Sequence, residues 1–395
     1  MKILVVSQYY YPEPFRLHEI CEELVRRGHE VTVVTSMPNY PDGNLYVGFE
    51  NKDQEEIVNG VRVLRTKCRL RKKGTINLII NYFSVYINLN RRLKELKAKF
   101  DVVYTYQLSP IMSSLPALYY AKSADVPSLL YCLDLWPESV ISFVPSNSFI
   151  FKCVKALSKY IYKKADRIAV TSPSFITYLQ NLCKPKELSL VYSPQHSKDF
   201  GVLPKEIDKD CVNFVFLGNI GNSQMVDLTV KAAAAISNNL NFKVHIVGSG
   251  SSLDEVKEIA NKLNVDGKVV FHGRQPKEKM PDYYKIADAC IVSLRDEGAV
   301  GYTIPGKLQE YMSAGKAILG SINGDAEVVI NDAKCGLCSK AEDLEGLKKN
   351  MVYMIEHKDK LTEWGNNARI YYEQHFTLTK HVDELELEFQ ELLNK

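Results

Sequence analysis

Residues 303–320, TIPGKLQEYMSAGKAILG, read as a short helix held between two buried strands. The apolar run ACIVSL (289–294) precedes it, and KAILG (316–320) closes it. Pro305 suits a first helical turn, where its missing N–H costs nothing. Gly315 suits the far cap, because glycine enters the left-handed conformation without strain. Strand–helix–strand at this spacing is the unit from which parallel sheets are built. Lys307 and Glu310, three residues apart, share one helix face. A cation in the first turn opposes the helix dipole by roughly 0.3–1 kcal/mol, and a bound anion would reverse the sign. Lys307 is therefore a candidate phosphate contact. Glu310 can accept two hydrogen bonds from a diol such as a ribose. An exposed Lys/Glu pair is the plainer alternative.

The same rhythm extends in both directions. Upstream in this half lie the strands VNFVFLG, FKVHIVG and KVVFHG, separated by helices such as MVDLTVKAAAAISN and SLDEVKEIANKLN. The first half repeats the alternation: KILVVS, then a helix with Leu17, Ile20, Cys21, Leu24 and Val25 on one face, then HEVTVVT, VRVLRT, DVVYTY, SLLYCL, DRIAVTS and LSLVYS. Alternating strands and helices predict parallel sheets covered on both faces. The seam between the halves is HSKDFGVLPKEIDKD (196–210), charged and rich in turn formers, as a linker is. The expected architecture is two doubly wound α/β domains, residues 1–200 and 201–377, facing one another across a cleft. An acidic amphipathic helix, 378–395, ends the chain and is free to pack back on the first domain.

At 395 residues the chain is long enough for two cores, and 46% apolar with 25% charged residues is a globular composition. The net charge of +3 hides an imbalance: residues 1–200 carry 27 lysines and arginines against 18 acidic residues. A basic half invites an anionic partner, nucleic acid or a lipid surface. MKILVVSQYY is too short an apolar run for a secretory signal, and INLIINYFSVYINL (76–89) falls short of a membrane span. Nine cysteines without framework spacing indicate reduced thiols in a cytoplasmic protein. The single C-x-x-C, Cys335 and Cys338, has no second ligand pair and reads as buried cysteine.

In open parallel sheets, ligands sit beyond the carboxyl ends of the strands. The second half places glycine loops at five such ends. Gly218, Asn219 and Gly221 follow the first strand, Gly248 and Gly250 the next, and Gly273, Arg274 and Gln275 the third. Gly298, Gly301 and Gly306 precede Lys307, and Gly320 and Gly324 come last. Glycine lets backbone approach a ligand, although tight turns need it for structure alone. In the first half the informative strand end is LLYCLDLWPESV. There Asp134 and Glu138 flank a Trp-Pro turn, and Trp136 offers a ring face to a sugar. Asp134 reads either as a base or sugar contact, or as a cap on the next segment.

Together these residues resemble the family 4 glycosyltransferases, over nearly the whole chain. The matching motifs are QYYYPEP, RRGHEVTVVTSMPNYPDG, DLWPES, FLGNIG and IPGKLQEYMSAGKAI. DLWPES and the P-x-K-x-x-E-Y-M-x-A-G-K run are similar to the subgroup of fucosamine-type transferases of bacterial O-antigen and capsule synthesis. The resemblance implies the GT-B fold of two facing Rossmann-like domains. It also implies a nucleotide-sugar donor, UDP-linked, retention at the anomeric carbon, and no metal or other cofactor. By resemblance Glu310 holds the nucleotide ribose, and Lys307 with the backbone of Gly306 to Leu308 meets the diphosphate. Gly218, Asn219 and Gly221 join the donor site, Arg274 and Gln275 border the base, and Asp134, Trp136 and Glu138 face the acceptor. The chain departs from the family pattern at Tyr302, which replaces the first glutamate of E-x7-E, and at Leu133, where a histidine is usual. FLGNIGNSQ lacks a basic pair that many relatives use, and YYYPEPFR lacks the usual glycines but brings Arg16. Asp208 and Asp210 form a D-x-D only within the charged seam.

The implied acceptor is a lipid-linked saccharide, and the basic half fits it. KCRLRKK (67–73) carries five cations, an apolar-aromatic helix follows (Ile76, Ile79, Ile80, Phe83, Tyr86, Ile87), and then Arg91, Arg92 and Lys94. FIFKCVKALSKYIYKK (149–164) repeats the combination. Both segments predict a peripheral, salt-sensitive hold on an anionic membrane surface at the inner face of the cell membrane. Packing of either helix on the sheet is the alternative. Three rival functions stay open. A GT-B nucleotide-sugar 2-epimerase would share the nucleotide half, and a two-lobed sugar-binding protein would need export. A nucleic-acid binder would need a module that the sequence does not contain.

Overall fold

The computed structural model describes residues 1–141, 143–195, 211–236, 238–265, 267–296 and 302–395. The expected seam, 196–210, lies outside them, as do Asp208, Asp210, Gly298 and Gly301. The chain divides into two compact units, Met1–Pro194 with Leu378–Lys395, and Gln195–Thr377.

The first unit is an eight-stranded sheet. Its strands are β1 (Lys2–Val6), β2 (Glu30–Ser36), β3 (Gln54–Val58), β4 (Val61–Thr66), β5 (Val102–Gln107), β6 (Ser128–Cys132), β7 (Arg167–Val170) and β8 (Leu188–Leu190), in the order β3-β4-β2-β1-β5-β6-β7-β8. All neighbours run parallel except β3, which pairs antiparallel with β4. β3 has no counterpart in the sequence reading. QEEIV is a polar edge strand, half in water, and lacks the apolar run that marks its neighbours. The helices are α1 (Leu17–Arg26), α2 (Thr75–Lys94), α3 (Leu115–Ala124), α4 (Phe149–Lys164) and α5 (Pro173–Cys183).

Strand alternation sorts the core into two layers. Ile3 and Val5 of β1 pack with Leu17, Ile20, Cys21 and Leu24 of α1, whereas Leu4 and Val6 pack with Val85, Leu89 and Leu93 of α2. The last helix, Leu378–Leu393, joins the first layer through Val382, Leu385 and Phe389. Its acidic side meets two arginines, Arg27 half-buried and Arg167 buried. Arg27 bonds Asp383 and Glu386 at 2.7 Å each, and Arg167 bonds Glu388 and Glu391 at 2.8 and 2.6 Å.

The second unit is a six-stranded, wholly parallel sheet of β9 (Val212–Leu217), β10 (Phe242–Val247), β11 (Val269–Gly273), β12 (Ala289–Ser293), β13 (Ala317–Ser321) and β14 (Gly336–Ser339). The order is β11-β10-β9-β12-β13-β14. Its helices are α6 (Val226–Ala234), α7 (Leu253–Lys262), α8 (Met280–Ile286), α9 (Gly306–Ser313), α10 (Asp325–Asp332), α11 (Leu344–Glu356) and α12 (Lys358–His375). The stretch 303–320 folds as read. Pro305 is the residue before α9, Gly315 turns left-handed (φ +66°) after it, and β12 and β13 flank it in register from Ala289/Ala317. The C-x-x-C lies at the start of β14, with Cys335 buried and Cys338 half-buried; both thiols are free.

Candidate functional sites in the two units

In the second sheet the chain order reverses between β9 and β12. In open parallel sheets ligands sit at such a reversal, beyond the carboxyl ends of the strands. Gly218 follows β9, and α9 follows β12, so Gly218 and Lys307 flank this point. The Lys307 ammonium lies 4.0 Å from the centre of the Phe216 ring. Its Nζ is buried and has no hydrogen-bond partner among the described residues. A Cβ on Gly218 would stand 3.5 Å from that nitrogen, so the loop backbone passes directly by it. Burial lowers the Lys307 pKa from 10.5 to about 8, and the Glu310 carboxylate works in the other direction. The unliganded fold thus holds a charge at a cost of roughly 3 kcal/mol. An anion beside Nζ would offset that cost.

Glu310 lies one turn on, half-buried. The Tyr284 phenol is pushed well up, by burial first and then by the Glu310 charge, so the two groups are close. Tyr311 holds α9 in place: its hydroxyl accepts from Leu217 N–H at 2.9 Å and donates to Leu217 O at 3.0 Å, just before Gly218. Arg369 closes the far end of α9 by donating to Ser313 O at 2.6 Å.

The glycine loops have steric reasons. Gly248 sits at φ +148°, and a Cβ there would lie 1.8 Å from Gly218 O; at Gly250 it would lie 2.2 Å from Ile220 O. These turns pack backbone on backbone beside Lys307. Gln224 ties the first loop together, its Oε1 accepting from Gly221 N–H at 3.1 Å and Asn219 Nδ2 at 3.2 Å. Arg274 is exposed after β11, and Gln275 is half-buried with Nε2 donating to His272 O at 2.8 Å. Leu308 departs from expectation. Its side chain is fully buried and its N–H already donates to Pro305 O at 2.9 Å, so it is a core residue of the first turn and no spare donor.

The first sheet reverses between β1 and β5. Asp134, after β6, accepts from Ser109 N–H through Oδ2 at 2.7 Å, and its own carbonyl accepts from Gln107 Nε2 at 3.0 Å. The β5 loop therefore orients the carboxylate, and Oδ1 has no hydrogen bond among the described residues. The cap on its own following segment does not form, because the N–H it takes belongs to Ser109. Trp136 is a correction. Its indole is 8% exposed, packed among Ile111, Leu135 and Phe175, and donates Nε1–H to Ser109 Oγ at 3.0 Å. The ring anchors the Asp134 loop and offers no open face to a sugar. Glu138 accepts the Tyr178 hydroxyl proton.

Residue-by-residue reading of the sequence missed the supports. Phe216 and Tyr311 look like ordinary core aromatics, and only the fold puts one under Lys307 and the other across Leu217. Glu13, in YYYPEP, is 1% exposed and accepts from the backbone N–H groups of Tyr10, Asn39 and Tyr40 at 3.2, 2.9 and 2.8 Å. Burial raises its pKa to about 7 against those bonds. It joins the loops after β1 and β2. A buried carboxylate between two prolines was the available signal.

Among the described residues no helix is long and apolar enough to cross a membrane, and no three His, Cys, Asp or Glu side chains gather as a metal site requires. A surface cavity of about 790 Å³ lies at the amino ends of β6 to β8, lined by Lys122, Ser128 and Asp166 among others, at the opposite end of the sheet from Asp134.

Each sheet reverses its strand order once, and beside the second reversal stands a buried ammonium with no hydrogen-bond partner among the described residues. The comparisons give the class. Residues 16–194 match the family model Glycosyltransferase Family 4, and residues 204–371 match Glycosyl transferases group 1. Together the two models take in both units, and the chain is a glycosyltransferase of the GT-B fold. It is similar to an uncharacterized glycosyltransferase of Methanocaldococcus jannaschii, 26% identical over 248 residues, covering 61% of this chain and 62% of that one. It is also similar to N-acetyl-alpha-D-glucosaminyl L-malate synthase of Bacillus anthracis, 22% identical over 95% of this chain and 92% of that protein. A lipopolysaccharide 1,6-galactosyltransferase of Escherichia coli K12 is 20% identical over 64% of this chain and 67% of its own. Among solved structures, Anabaena Alr3699/HepE in complex with UDP superposes with a TM-score of 0.68 at 12% identity, covering 99% of this chain and 100% of that one.

Proposed function

We propose that this glycosyltransferase takes its sugar from a nucleotide-sugar, UDP-linked, and delivers it to a lipid-linked saccharide in bacterial surface polysaccharide synthesis. The observation that carries the donor half is the Lys307 ammonium, buried beside the Gly218 backbone with no hydrogen-bond partner among the described residues. A diphosphate supplies the missing counter-charge, and as it leaves with the nucleotide the same cation stabilises its growing negative charge. Glu310 accepts from the ribose hydroxyls, Arg274 and Gln275 border the base, and no metal takes part. Asp134 acts on the sugar or the acceptor, and transfer retains the anomeric configuration. A UDP complex among the fold neighbours supports the nucleotide. The lipopolysaccharide galactosyltransferase and a putative colanic acid glycosyl transferase among the relatives support the pathway class. The fucosamine-type motifs favour an amino sugar. The acceptor half rests on the basic first unit, where Phe143, Phe149 and Ile150 are exposed beside Lys152 and Lys155, as a peripheral hold on an anionic inner membrane face requires.

Thermal shift with UDP-, GDP- and dTDP-sugars, run on the wild type and Lys307→Ala, tests the donor. The expected result is stabilisation by UDP-sugars that the variant lacks. Equal stabilisation of both proteins would remove Lys307 from the site. Turnover of a UDP-sugar into its 2-epimer with no acceptor present would favour the epimerase.

A further inference from the structure

Helix α2 is turned with a polar residue inward and apolar residues out. Asn81 is 1% exposed beneath it, accepting from Gln8 Nε2 at 3.4 Å and donating to Arg69 O. Val85, Leu89 and Leu93 continue that buried stripe. The opposite side carries Ile76, Ile79, Ile80, Phe83 and Ile87, between 45% and 75% exposed. Their spacing makes a single helical face. The hydrogen bonds of Asn81 set the rotation, and five large apolar side chains on one helix are left in water. So large a patch marks an interaction site.

A second observation lies just before the helix. The Arg71 guanidinium stacks over the Tyr40 ring at 5.1 Å and donates to the Tyr9 hydroxyl at 3.1 Å. Tyr9, Phe15 and Tyr40 pack on one another at 4.9 to 5.2 Å. The arginine backbone is pinned as well: its N–H donates to Asn39 Oδ1 at 2.9 Å, and a Cβ on Gly43 would come within 1.7 Å of its carbonyl oxygen. Nearby Arg62, Arg65, Arg91 and Arg92 all have carboxylate partners. Arg71 has none among the described residues. Arg91 and Arg92 therefore do not add to the free cations that the sequence placed around this helix, whereas Lys72 and Lys73 are exposed. Burial raises the pKa of Tyr82, on α2, and its phenol also feels the opposing charges of Arg71 and Asp134.

A fixed, unpaired guanidinium next to an exposed apolar helix matches an amphiphile whose anion is joined directly to its hydrocarbon. We propose that Arg71 binds the phosphate, and the outer face of α2 the chain, of a membrane-embedded lipid phosphate that carries the acceptor saccharide. Arg71 suits a phosphate because its planar fork can take two oxygens at once while stacked on an aromatic ring. This inference rests on the lipid-linked acceptor proposed above.

Co-sedimentation of the full chain with three kinds of phosphatidylcholine vesicle tests it: undoped, doped with polyprenyl phosphate, and doped to equal charge with phosphatidylglycerol. The wild type should prefer polyprenyl phosphate to phosphatidylglycerol by about tenfold, one strong charge-assisted contact's worth. Arg71→Ala should erase that preference, and Ile79→Ser with Phe83→Ser, at exposed positions where folding is not at stake, should weaken binding to polyprenyl phosphate vesicles. Equal binding to the two anionic vesicles, or an Arg71→Ala variant that keeps the preference, would overturn the proposal. Inorganic phosphate that matched the lipid in protecting Arg71 from arginine-selective modification would also overturn it, by showing that the chain contributes nothing. UDP affinity measured on the same proteins separates the two readings. Its loss from the wild type would count against the donor site alone, and its retention beside failed lipid binding would count against this inference alone.

Discussion

The two units present their chemistry differently at the carboxyl ends of their sheets. In the second, the first turn of α9 carries an ammonium that is buried, has no hydrogen-bond partner among the described residues, and has its pKa lowered by burial. In the first, Asp134 is fixed by the β5 loop, Glu13 stitches the β1 and β2 loops, and Trp136 fills the space behind. One site is incomplete without a ligand, and the other is already satisfied in its supports. A nucleotide diphosphate brings a fixed charge that many transferases share, so a single unsatisfied cation can recognise it. On the reading proposed above, an acceptor varies, and the first unit instead keeps a stable frame with few committed contacts.

The contrast breaks first at α9. Lys307→Ala and Glu310→Ala should each lower transfer by about 10²–10³-fold with the fold intact, since each removes a contact to the leaving nucleotide. Both variants should bind UDP more weakly, the lysine variant through the lost diphosphate contact and the glutamate variant through the lost ribose contact, with the larger loss in the lysine variant. Near-normal turnover in both would dissolve the difference between the units. Asp134→Asn comes next. It keeps the Ser109 N–H bond and the size of the side chain but not the charge, so transfer should fall by about 10²-fold while UDP binding stays at the wild-type level. Full activity would leave Asp134 a structural link to Ser109. The smallest effect concerns the supports. Tyr311→Phe strands both polar groups of Leu217 and should cost about 1–3 kcal/mol in chemical denaturation, with a smaller loss of UDP affinity as the Gly218 loop loosens. An unchanged midpoint would mean that the strand end is held by other contacts.

Reading 289–320 as a helix between two strands succeeded because three local signals agree there: apolar strands, a proline at the helix start and a glycine at its end. The polar edge strand β3 and the short β14 were not legible, since edge strands lack the two-sided burial that makes a strand visible in sequence. Lys307 and Glu310 stood out because a lysine in a first turn contradicts the helix dipole. Phe216, Tyr311 and Ser109 did not, since what they support is decided by which loops the sheet order brings together, and Arg71 stood out only as one of the five cations of KCRLRKK. Trp136 misled for the same reason: next to a carboxylate in sequence it reads as a platform, whereas the fold turns it into the core.

The central claim is that a buried Lys307 ammonium waits for a diphosphate, and titration calorimetry of UDP between pH 7 and 10 tests it most directly. In the free protein the lysine loses its proton near pH 8, against 10.5 in the unfolded chain. Between those values the unfolded chain binds more protons, so the empty fold gains stability as pH rises through this window, and below it the burial cost is fully present. A bound diphosphate favours the charged form and raises the pKa again. UDP should therefore bind with full affinity below about pH 8, take up a proton above it, and weaken progressively toward pH 10. Lys307→Ala should be weaker throughout and flat with pH. Identical affinities and identical pH profiles for the two proteins would contradict the account.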